Sequence, residues 1–87
     1  MCTMIAEKAS VAGSGKGPQG WFTLKQAYIS YDHPHHAPFE HALSLGFVNE
    51  DNEDGGRVAV ELSRESARQL ATRILATLDR ADGHEAA

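Results

Sequence analysis

The apolar residues of this chain change period once, at Ser63, and that change limits the folds open to it. From Arg57 to Leu62 the side chains alternate, with Val58, Val60 and Leu62 on one side and Arg57 and Glu61 on the other. A period of two marks a half-buried strand. Beyond Ser63, Ala67, Leu70, Ala71, Ile74, Leu75 and Leu78 recur at the spacing of one helix face, while Arg64, Arg68, Gln69, Thr72 and Arg73 fall opposite. Ser63 suits the helix N-cap, because its hydroxyl can accept a bond from a backbone N–H that has no partner in the first turn. Gly83 suits the position just past the helix end. Residues 82–87 are expected to fray.

Upstream of the switch the period of two recurs. Thr3 to Val11 reads as a strand with Ile5, Ala9 and Val11 on one face, Glu7 in the same row, and Met4, Ala6, Lys8 and Ser10 on the other. The segment Gly13 to Gly20 predicts a break and a flexible hairpin loop. Trp21 to Tyr31 is a second strand, with Trp21, Ala27, Ile29 and Tyr31 on one face and Phe22, Leu24 and Tyr28 on the other. His41 to Asn49 is a third, with Leu43, Leu45 and Phe47 in one row. Glu50 to Gly56 reads as a turn. The order β-β-β-β-α predicts a single α+β domain over residues 1–87: a four-stranded antiparallel sheet with one C-terminal helix on one face.

A single helix covers one face of such a sheet, yet the second strand is apolar on both. A large exposed apolar face is unusual on a small monomer. This predicts a homodimer or larger assembly, formed through the face opposite the helix or through an edge strand. Size points the same way. A chain of 87 residues builds a thin core, and Cys2, the lone cysteine, forms no disulfide within it. A partner subunit or a structural metal is the remaining source of stability. The net charge of −4 argues against a nucleic-acid partner. No apolar run approaches the ~20 residues of a membrane span. No basic stretch leads an apolar one at the N-terminus, so the expected location is cytoplasmic.

Chemistry concentrates in Asp32-His33-Pro34-His35-His36-Ala37-Pro38-Phe39-Glu40-His41, which holds four of the five histidines. The prolines fix φ at two positions and bias His33 and Ala37 toward extended conformations, which makes the segment a stiffened loop. Neutral imidazole is the commonest protein metal ligand. His33, His36 and His41 are therefore candidate ligands for Zn, Ni, Fe or Cu, with Asp32 and Glu40 beside or behind them. Cys2 adds a thiol, as a further ligand or a nucleophile. His41 lies in phase with Leu43, Leu45 and Phe47, which predicts partial burial. The spacing does not match the His-x-x-Glu-His zinc protease pattern, because three residues separate His36 from Glu40 and Pro38 interrupts any helix. The same histidines would also serve a small dimeric enzyme as general acid and base on a small polar substrate. A third possibility is an interaction module without a site.

Two further stretches resemble known loops only in part. Gly13-Ser14-Gly15-Lys16-Gly17 departs from the phosphate-loop pattern at both ends, with Ser10 for the first Gly and Gly17 for the hydroxyl. Lys16 remains a candidate contact for an anion. The acids of Glu50 to Asp54 lack the alternate spacing of a calcium-binding EF-hand loop.

The opening Met1-Cys2-Thr3, the glycine segment before Trp21-Phe22, the Asp32-His33-Pro34 to Glu40-His41-Ala42 loop and Arg57 to Ser63 together resemble a family of small, mostly actinomycete bacterial proteins. That family is a domain of unknown function, so the resemblance names no activity and implies only a stand-alone unit with a shared loop pattern.

Overall fold

The computed structural model describes residues 5–51 and 56–85. Its elements are β1 (Ile5–Gly17), β2 (Gly20–Asp32), β3 (Ala42–Val48), β4 (Arg57–Leu62) and α1 (Arg64–Glu85). The strands form one antiparallel meander in the order β1-β2-β3-β4. The fold is thus α+β, with four strands followed by one helix.

The strand boundaries differ from the sequence reading mainly in the glycine segment. β1 does not stop at Val11: it runs on to Gly17 and pairs with the start of β2, Gly13 opposite Leu24 and Gly17 opposite Gly20. Cross-strand pairing here outweighs the weak strand propensity of glycine. The break shrinks to Pro18 and Gln19, between the facing glycines. Proline supplies the fixed φ wanted at the second turn position, and Gly20 takes a φ of +112° that side chains disfavour. A β-bulge separates the Ser10–Gln26 and Gly13–Leu24 pairs, so that Val11 and Ala12 together oppose Lys25. β3 begins at Ala42, one residue after His41.

The glycines also have a packing role. Added Cβ atoms at Gly15 and Gly17 would lie 3.0 Å and 3.3 Å from the Leu24 and Phe22 side chains, and one at Gly56 would overlap the Phe22 ring. The hairpin end therefore curls toward the start of β4, and Phe22 and Leu24 are half-buried on the face away from the helix. Part of the apolar surface expected on that face is covered by the chain itself.

On the helix side, Ile29 and Tyr31 of β2, Leu43 and Leu45 of β3 and Leu62 of β4 form one apolar surface. Only small residues are buried among those described, Ala42 fully and Ala27 to 5% exposure. α1 begins as the sequence predicts. Ser63 Oγ accepts the Ser66 N–H at 3.1 Å, and the Ala67 N–H reaches the Ser63 carbonyl at 2.9 Å. The helix does not stop before Gly83 but continues through it to Glu85. Gly83 has no positive φ, so it acts as a helical residue and not as a left-handed stop.

α1 touches chiefly β3 and β4, and it stands off the sheet. Leu70, Ile74, Leu75 and Leu78 are 45%, 50%, 63% and 54% exposed. The molecule spans 50 × 33 × 20 Å with a Cα radius of gyration of 14.9 Å, against about 12 Å for a compact domain of this length. Its accessible surface is 6806 Å2, whereas a compact monomer of the same mass exposes about 5,000 Å2. No described helix is long and apolar enough to cross a membrane.

Candidate functional site

The histidine loop is held by a residue of β4 that is not among the candidate ligands. Glu61 projects from the sheet face away from the helix and accepts three consecutive backbone N–H groups, from His35 at 2.6 Å, His36 at 3.0 Å and Ala37 at 2.8 Å. These bonds, led by that from Ala37, hold the carboxyl below the usual glutamate range. A loop between two prolines forms few backbone bonds of its own, so its donors need an outside acceptor. The sequence signals that need but does not say which carboxylate meets it.

Within the loop, Asp32 Oδ1 accepts the His33 N–H at 2.7 Å, and His33 Nδ1 lies 3.0 Å from the Glu40 carbonyl, where it donates. The His33 and His41 rings approach to 4.7 Å between centroids, and His41 stacks on Tyr31 at 5.7 Å and 24°. His41 is half-buried, in line with its place in the Leu43 row. Of the predicted ligands, the structure therefore brings His33 and His41 together, with Asp32 and Glu40 engaged through local bonds. His36 is tied by its backbone to Glu61 and is not gathered into that pair. Cys2 lies outside the described residues. Among the described residues no group of three or more His, Cys, Asp or Glu side chains is placed to hold a metal ion. Lys16 is exposed beside Trp21 at the hairpin tip, roughly 35 Å along β2 from the loop. It does not join the histidines.

A second polar cluster fastens the end of β3 to the first hairpin. Lys8 lies 3.3 Å from Glu50 and 5.5 Å from the Tyr28 ring centroid, and the Tyr28 hydroxyl donates to Glu50. Lys25 pairs with Asp51 at 2.7 Å, and Gln26 Oε1 accepts the Glu50 N–H. The Tyr28 hydroxyl, ahead of Lys8, holds Glu50 below the usual carboxylate range. The bond from Lys25 does the same for Asp51, and the Glu50 bond raises Lys8. Each of these groups is satisfied within the chain, and the cluster reads as structural.

The opening of greatest chemical consequence is the groove between the sheet and α1. It has a volume of about 660 Å3 and an overwhelmingly apolar lining: Ile5, Ile29, Leu43 and Leu45 from the sheet, Leu70, Ala71 and Ile74 from the helix. Glu7, Arg64 and Arg68 bring charge to its walls. Tyr31 lines the groove and also stacks on His41, so the histidine pair adjoins a groove residue. No loop histidine enters the groove itself. An open apolar trough of this kind accepts apolar side chains.

No curated protein and no solved structure matches the chain. A sequence family does, over its whole length: the chain belongs to the family of unknown function DUF6295, which matches residues 1–87.

Proposed function

We propose that the protein is a self-associating interaction module whose working surface is the groove between the sheet and α1. The observation that carries this reading is the exposed apolar stripe of the helix facing an equally apolar sheet across open space. The chain exposes about 1,800 Å2 more than a compact monomer of its mass. A standard interface removes about 800 Å2 from each partner, which is less than this whole-chain excess, and the groove lining is one part of that surface. The sequence pattern points to the face opposite the helix or to an edge strand. The geometry favours the helix side instead, because the curled hairpin already shields Phe22 and Leu24. Sedimentation equilibrium tests the reading: the wild-type chain should weigh twice 9.4 kDa, and Ile74→Glu with Leu78→Glu should return it to a monomer. A wild-type mass of one chain at every concentration would sink the proposal.

A second reading, divalent-metal binding, keeps one specific support. His33 Nδ1 is committed to the Glu40 carbonyl, which leaves Nε2 unprotonated in the neutral ring and oriented as metal-ligating histidines are. His33 and His41 would supply two nitrogens for Zn, Ni, Fe or Cu, and Cys2 or water the rest. Elemental analysis of untagged protein, against the His33→Ala and His41→Ala variant, checks it. Near-stoichiometric metal that vanishes in the variant is expected, and none above trace after reconstitution would refute it. Protons compete for the same nitrogens, so occupancy should fall as pH drops toward about 5.

A further inference from the structure

α1 is palindromic in part of its apolar face, where Ala71 and Leu75 have Thr77 and Arg73 as mirror positions, and opposite in net charge between its two halves. Counting out from Ile74, Leu70 mirrors Leu78 and Ala67 mirrors Ala81. The half from residue 64 to 74 carries Arg64, Arg68 and Arg73 against Glu65, a net +2, and the half from 75 to 85 carries Asp79, Asp82 and Glu85 against Arg80, a net −2. Glu65 and His84 suit the helix dipole at its two ends, but the wider distribution opposes it, with cations toward the positive end. At 3.6 residues per turn, Arg64, Arg68, Asp79 and Asp82 all fall on one flank of the apolar stripe.

We propose that the groove is filled by α1 of a second copy, lying antiparallel to the first and crossing it at Ile74. The inference rests on the reading of the groove as an assembly surface and names its occupant. A two-fold axis at Ile74 sets Leu70 of each helix against Leu78 of the other and the small Ala67 against the small Ala81. The same rotation keeps like flanks adjacent and reverses direction, so Arg64 and Arg68 of one copy meet Asp82 and Asp79 of the other. One register pairs Leu70 with Leu78, Ala67 with Ala81, and Arg64 and Arg68 with Asp82 and Asp79. α1 is about 33 Å long, and only its first half lines the groove. The second half, with exposed Leu75 and Leu78, is the part that reaches the partner's groove and sheet. The closed two-fold arrangement is isologous and stops at two copies.

A charge-swap experiment on the full chain tests the pairing. Variant one carries Arg64→Glu and Arg68→Glu, and variant two carries Asp79→Arg and Asp82→Arg. In each homodimer like charges face one another, which should weaken association roughly 100-fold. Mixed in equal amounts, the two variants place Glu against Arg and Arg against Asp at every pair, so a heterodimer should form at close to wild-type affinity. Its recovery also shows that both variants fold. If wild type and both variants remain equally dimeric, or the mixture regains no affinity, the antiparallel helix pairing is overturned while self-association stands. If the wild-type chain is a monomer throughout, the inference falls together with the reading beneath it.

Discussion

Two residues outside any motif set the local structure. Gly56 faces the Phe22 ring so closely that a Cβ has no room. The clash is with the base of the ring and not with a flexible end, so Gly56→Ala should cost about 1–3 kcal/mol. In a domain of this size that lowers the melting temperature by about 4–8 °C per kcal/mol. The penalty should shrink when Phe22→Ala is added, since the two sites share one contact. Glu61 is the other. A glutamine there offers one acceptor oxygen and an NH2 group where three N–H groups converge, so Glu61→Gln should abolish the slowed amide exchange of His35, His36 and Ala37. Its acid behaviour follows from its lowered folded pKa, which Glu50 and Asp51 share. Below the ordinary carboxylate range the unfolded chain binds protons that the folded chain refuses. The stability these groups give is therefore complete above about pH 5 and lost as pH falls through their folded values. Chemical denaturation between pH 7 and pH 3 should show that decline, with a smaller slope in Glu61→Gln.

At the scale of elements, the sequence is readable where period alone decides. β3, β4, the N-cap and the apolar face of α1 are legible from alternation and spacing. The glycine segment is not, because its strand conformation comes from pairing with Trp21 to Leu24 and from the room Phe22 needs, both of which are non-local. Glu61 as holder of the histidine loop is hidden for the same reason: its partners lie 24 to 26 residues away. The histidine loop itself is legible as a stiff, titratable segment, and the stacking of His41 follows from its row. The grouping of three histidines does not follow, since spacing in a loop says little about which side chains converge. Gly83 suits a helix stop by residue type, yet with its surroundings open the helix simply continues. Gly83→Ala should therefore raise helix content on circular dichroism and stabilise the fold by about 0.5 kcal/mol. Had Gly83 been a left-handed cap, the same change would destabilise it.

At the scale of the molecule, the chain exposes more surface than a compact monomer of its mass, and Leu70 and Ile74 of the open groove are among its exposed apolar residues. A helix whose second half has no sheet beneath it is marginal alone, because isolated helical turns are weak in water. If a partner copy stabilises this helix, the melting temperature should climb with protein concentration. The most direct measurement is amide hydrogen exchange across residues 75–85 at low and high protein concentration. Self-association through α1 should give fast exchange when the chain is dilute and strong protection when it is concentrated, with the sheet changing far less. Exchange in this segment that is equally fast, or equally slow, at every concentration while the chain remains folded would contradict it.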